Sequence, residues 1–293
     1  MIILKRKSRI IDILLLCLTI LPLIFGIIIK IFTYFPNDEI EISGAKIFFT
    51  VTTCLGKLPI TESQVNSWLV IVMLFMFCVY ITHGMDVYSS GKRQLIAEWV
   101  VEASEKLVKD NMGKYFSDFP PFIASIIALS IFSSFLSLVG LYPPTSDINT
   151  IAGWALLVFI LITYYKLKCG VVHYVKSFGK PLVLLAPLNV ISEIATPVSM
   201  TFRHYGNILS GSIISILVLL ALKKLSYVVF WFLPGNFREI PFLQIGIPAV
   251  LSVYFDVFSG LLQAVIFAML TMLYIAGGFP AEDFEKIGGI NND

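Results

Sequence analysis

Along this chain, long apolar runs alternate with short polar connections. Four runs, 10–35, 65–82, 119–141 and 148–165, are close to the length of about 20 residues that a helix needs to cross about 30 Å of hydrocarbon. Two more, 181–222 and 240–281, are about twice that length and would extend about 60 Å as helix, so neither stands upright as one span. Their centres hold isolated polar groups and no Gly/Pro/Asn/Asp cluster that would split them. Long, strongly tilted or kinked helices are therefore expected, with Pro187, Pro197 and Pro248 as kink sites. Between the two runs, "FLPGNFREIP" at 232–241 reads as a turn, so the long helices should form a hairpin. The pattern predicts an all-α integral membrane protein with about four transmembrane helices plus a hairpin of two long, strongly tilted membrane helices.

Composition agrees. Of 293 residues, 57% are hydrophobic and 14% charged, and a mean hydropathy of +0.88 lies outside the range of soluble domains. A net charge of +2 is too small to argue for a nucleic-acid partner. Cys17, Cys54, Cys78 and Cys169 show no CxxC spacing, and no GxGxxG, P-loop or HExxH motif occurs. His83 and Asp86 are spaced as on a helix, but a metal would need further ligands. Neither a cofactor nor a metal is expected.

The basic residues give the orientation. With the N-terminus inside, fourteen Lys and Arg fall on the inner side and six on the outer, leaving Arg203 in the membrane. Both termini are then cytoplasmic. Run 10–35 follows Lys5, Arg6, Lys7 and Arg9 without a convincing cleavage site, so it reads as an uncleaved signal-anchor. Residues 1–60 are taken as this anchor with an outer segment, and 61–293 as the main membrane domain with its hairpin at 181–281. In 92–112, Leu95, Ile96, Trp99, Val100, Ala103, Leu107 and Val108 share one face at helical spacing. That helix either lies on the inner membrane surface or a partner subunit, or covers the chain's own cytoplasmic loops.

Ionisable groups in the two long runs are few: Glu193, Arg203 and His204 in the first, Asp256 in the second. A charge at mid-bilayer costs from about 3 to above 10 kcal/mol, so such groups usually face water or one another. Glu193 is ten residues from Arg203, about 15 Å along a helix, and cannot pair with it there. Counting from the turn, Gln263 matches Arg203 in depth better than Asp256 does. Arg203 should thus lack a fixed carboxylate, which suits a partner that arrives and departs. One acid lies toward each side of the membrane with the cation between them, the arrangement of two aqueous half-channels. Arg203, Asn207 and Gly211 share a helical face, as do Asp256, Gly260 and Gln263, and the glycines would admit a third body closely. His204 points about 100° from Arg203 and should serve packing or an interface. A stand-alone cation transporter with a midplane arginine is the alternative reading; a hydrolase using His204 or His83 lacks a nucleophile.

At these residues the sequence resembles subunit a of the membrane sector of F-type ATP synthases. The resemblance lies in "PLNVISEIATPVSMTFRHYGNILSG" (187–211), "FDVFSGLLQAVIFAMLTMLY" (255–274) and "GLYPPTSDINT" (140–150), in order over about 60–281. It implies a non-catalytic stator subunit in a bacterial plasma membrane, carrying protons or sodium ions past a rotating ring of small hairpin subunits and held by a peripheral stalk. Carried over by position, Arg203 is the essential ring-facing arginine, Asn207 and Gln263 its polar neighbours, Asp256 the outer half-channel acid and Glu193 an acid on the cytoplasmic side. Ser212 stands where many members have an acid, so the outer path would depend more on Asp256. Ser137 replaces a usual asparagine, and run 10–35 has no counterpart in the family pattern.

Overall fold

The computed structural model describes residues 2–33, 44–53, 56–85, 91–168, 170–178, 183–229, 243 and 246–278. In chain order they form helix α1 (Ile2–Thr33), strands β1 (Ile47–Thr53) and β2 (Gly56–Thr61), then α2 (Glu62–Thr82), α3 (Lys92–Met112), α4 (Pro120–Leu138), α5 (Ile148–Lys168), α6 (Val171–Phe178) and α7 (Ala186–Val229). Helix α8 (Ile247–Ser252), a π-helical turn (Val253–Phe258) and α9 (Ser259–Gly278) complete the order. Among the described residues six helical stretches are long and apolar enough to cross a membrane, as the apolar pattern predicts. The turn expected at 232–241 and the acid Asp86 lie outside the described residues.

The first long run becomes one helix of 44 residues, about 66 Å long and so about twice the hydrocarbon thickness. It continues past the apolar run, carrying exposed Lys223 and Lys224 in its last two turns. Two expected kinks are corrected. Pro187 and Pro248 are each the second residue of a helix, where the missing N–H has no helical acceptor to lose and the fixed φ suits the first turn. Pro197 is the one of the three that sits inside a helix. The second long run is interrupted instead by the π turn, a widened ring of backbone hydrogen bonds often found at functional sites.

The antiparallel β-hairpin is not among the predicted elements. Its strands pair Phe49 with Ile60 and Thr53 with Gly56, with an irregularity between Ile47 and Phe49. The Glu62 N–H donates to the Lys46 carbonyl at 2.8 Å, which ties the base of the hairpin to the first turn of α2.

The chain divides into two compact units. In the first, comprising 1–80, 129–147 and 205–263, a cluster of Val70, Leu136 and Leu141 joins α2 to the end of α4. Helix α4 stops at Gly140, whose φ of +77° is open to glycine at little cost. The Gly140 N–H donates to the Ser137 carbonyl (2.8 Å) and the Leu141 N–H to the Leu136 carbonyl (3.0 Å). This is a Schellman termination, and the packing of Leu141 on Leu136 is its usual apolar clasp. Beyond it, Asn66 Nδ2 donates to the Tyr142 carbonyl (2.8 Å) and Ser63 Oγ to Asp147 Oδ2. Burial, and then the Asp147 carboxylate, push the Tyr142 phenol up.

The second unit comprises 81–128, 148–204 and 264–293. Phe267, Ala268, Met272 and Ile275 of α9 recur at helical spacing and pack with Ala155, Val158 and Ile162 of α5. Val108 and Met112, from the end of α3, enter the same core. Helix α3 therefore covers the chain's own residues with its last turns, while Leu95, Ile96, Trp99 and Val100 of the predicted apolar face are exposed.

Candidate functional site

Arg203 lies near the middle of α7 on an exposed position. Among the described residues it makes no hydrogen bond or ion pair. Its neighbour His204, one residue and about 100° round the helix, is 1% exposed. The His204 ring meets Trp154 and Phe267 edge-on, at centroid distances of 6.3 and 5.7 Å. Packing on one side of α7 thereby fixes the azimuth of Arg203 on the other, and His204 is the packing residue that the sequence suggests.

Within the first unit, Asn207 Nδ2 donates to Ser259 Oγ at 2.8 Å. One turn on, a Cβ at Gly211 would stand 3.2 Å from the Phe255 side chain. A step of four along α7 is thus a step of four back along the other helix, the antiparallel register of a hairpin. Gln263 is 3% exposed. Ser212 Oγ donates to the Ile208 carbonyl at 3.0 Å, turned onto its own helix.

The glycines correct an expectation. Gly211 receives Phe255, and a methyl at Gly260 would run into the Ser134 side chain. Both are buried, so the space they leave is filled by this chain and not by a third body. Asp256 is half-buried within the π turn. Since that turn is wider than α, the α-period that groups Asp256 with Gly260 and Gln263 applies only from Ser259 onward.

Glu193 has a site of its own in the second unit. Lys166 Nζ donates to Glu193 Oε1 at 2.8 Å, and Tyr174 Oη donates to the same oxygen at 3.1 Å. Lys166 and Glu193 border an open cavity of about 400 Å³ that Asn189, Ser192, Thr196 and Tyr274 also line. Burial first, and then the hydrogen bond to Glu193, push the Tyr174 phenol up to about 12. It therefore stays a protonated donor at ordinary pH. Asn189 Nδ2 donates to the Phe178 carbonyl at 2.7 Å, fastening the end of α6 to α7. Sequence reasoning placed Lys166 among the basic anchors of the inner surface and gave Tyr174 no role. The available signal was a lysine ending one apolar segment and a carboxylate within the next long one, toward the same side.

A family model described as "ATP synthase A chain" matches residues 64–276. An ATP synthase subunit a of Desulforamulus reducens is 35% identical over 218 residues, covering 73% of this chain and 78% of the relative. A subunit a of Trichlorobacter lovleyi is 31% identical over 238 residues, covering 78% and 94%. One of Legionella pneumophila is 27% identical over 236 residues, covering 80% and 93%.

Proposed function

Since the chain belongs to the ATP synthase A chain family, the subunit a of the F-type membrane sector, we propose that it forms two half-channels for protons against a rotating ring of small hairpin subunits. Residues 61–293 would supply this body and 1–60 an added anchor. The other expected partners are a peripheral stalk subunit and the lipid of a bacterial plasma membrane, with both termini cytoplasmic.

The reading rests above all on Arg203, an exposed guanidinium on a long apolar helix that makes no ion pair or hydrogen bond among the described residues. An unpaired charge at that depth is costly unless a partner comes to it. In the proposed cycle an ion enters past Asp256 and neutralises a ring carboxylate. The neutral site then turns through lipid, where a bare charge would not go. On its return the carboxylate meets Arg203, whose charge favours the ionised form, and the proton leaves past Glu193. Asn207 and Gln263 supply polar surroundings for the exchange, and Ser212, bonded to its own helix, leaves the entry acid to Asp256. Arg203 also keeps the two half-channels from joining. Each charge that crosses yields about 2.3 kcal/mol per 100 mV.

Purified complex in proteoliposomes tests this. Arg203→Ala should assemble at near-normal yield and lose ion-driven ATP synthesis altogether. Wild-type synthesis in that variant would remove Arg203 from the mechanism.

A further inference from the structure

The cavity beside Glu193 holds more than the one acid that the resemblance marks. Resting on the reading of Glu193 as the inner acid, we infer that Lys166 is a positioning residue of the exit path. With Tyr174 it holds Glu193 at the cavity wall and cancels its charge, so that the vestibule hands on protons and does not retain Na⁺.

Three elements converge on one oxygen. Lys166 comes from the last turn of α5, Tyr174 from α6 and Glu193 from α7. The Glu193 side chain is 11% exposed and that of Lys166 27%, so the ammonium, and not bulk water, is the near counter-charge. The lysine stem is also held: a Cβ at Gly278 would stand 3.2 Å from Lys166 Cγ and 3.3 Å from Cε. Its tip lies 5.9 Å from the centre of the Tyr174 ring. A lysine that serves only as a headgroup anchor would extend its tip to the interface; this one is fixed from stem to tip and turned to a carboxylate.

The consequence for the ion follows from charge. Among the described residues lining the cavity, Lys166 and Glu193 are the charged ones, and they cancel. A sodium ion needs several oxygen ligands to replace its water, and a carboxylate among them holds it most strongly when its charge is not already compensated. Glu193 Oε1 already accepts two donors, and the ammonium beside it repels a second cation. A proton needs no such cage. Hydroxyls of Ser192, Thr196 and Tyr274 line the same space, and with water they can relay a proton.

The test is ATP-driven acidification of vesicles containing the intact complex, in choline medium and in sodium medium of equal ionic strength. Wild type should pump equally in both. Lys166→Gln should pump about tenfold more slowly, the weight of one charge-assisted hydrogen bond, and should be slowed further by Na⁺, because Glu193 is then an uncompensated ligand. Lys166→Arg should restore most of the rate. On a Glu193→Gln background, Lys166→Gln should add no further loss. Wild-type rates in Lys166→Gln, an equal loss with and without Glu193, or pumping by wild type that requires Na⁺ would each overturn the inference. Should Lys166→Gln fail to assemble, the double variant with Glu193→Gln, which removes both charges, is compared with Glu193→Gln alone, and a lower rate in the double variant overturns the inference. The two levels separate cleanly: an unimpaired Glu193→Gln removes Glu193 from the path, whereas unimpaired Lys166 variants beside an impaired Glu193→Gln remove only the positioning role.

Discussion

Two polar centres of this protein each combine a tyrosine with a carboxylate, to opposite ends. In the first unit, Ser63, Asn66, Tyr142 and Asp147 tie the start of α2 to the loop after α4. Ser63 and Asn66 are 1% and 4% exposed, and the Tyr142 hydroxyl is itself spent on the Ser146 carbonyl at 3.1 Å. In the second unit, Lys166, Tyr174 and Glu193 also satisfy one another, but Lys166 and Glu193 stand on the rim of an open cavity. The first centre closes a loop; the second meets water and whatever passes through it. Buried polar networks of either sort must be satisfied, so hydrogen bonding alone does not mark a working site. What separates them is what each shows to the space beside it: Lys166 and Glu193 put a charged pair on their cavity wall, whereas the cavity beside the first centre meets Tyr142 and not Asp147.

Substitutions can break or sharpen that contrast. The largest effect is expected from Asp147→Ala, which takes from the buried Ser63 hydroxyl its carboxylate acceptor, leaves it Thr61 Oγ1 alone, and should lower stability by about 1–3 kcal/mol. Thermal unfolding of the purified complex would show it, with the transport rate per assembled complex unchanged; a slowed rate at normal stability would dissolve the distinction. Next is Glu193→Gln, with pumping reduced about tenfold, or about 1.4 kcal/mol, and the melting temperature close to wild type. A lowered melting temperature with normal pumping would make Glu193 a second Asp147. The smallest is Tyr174→Phe. Because its phenol is pushed up to about 12, the hydroxyl stays a donor below that pH, and removing it should cost only about threefold in rate, the share of one neutral donor. That deficit should be constant from pH 6 to pH 9, and a deficit that varies across this window would show the phenol itself exchanging protons.

Much of the architecture was legible because hydrocarbon imposes length. The four shorter apolar stretches and the amphipathic segment 92–112 emerge with ends within a few residues of expectation, whereas the two long ones begin later, at Ala186 and Val253. Proline was harder, since the same residue that kinks a helix also starts one: Pro187 and Pro248 differ from Pro197 only in what precedes them. The β-hairpin escaped because its pairing depends on two short strands finding each other outside the apolar pattern. At the site, the composition of α7 singled out Arg203, and the packing of its neighbour His204 was legible from angle alone. Lys166 was not, because a lysine ending an apolar helix has two uses, and only the position of Glu193 decides between them. The glycines misled for a related reason: sequence shows where a helix has room, not who takes it.

The π turn at Val253–Phe258 amounts to a residue in excess of the α repeat. Deleting one position there would let the coil tighten, swinging everything upstream by about 100° while the α9 residues beyond it kept their seats. The aim of an acid can thus be reset by a single insertion or loss, leaving the packed half of the same rod untouched, which gives this protein an inexpensive way to retune one entrance without rebuilding its core.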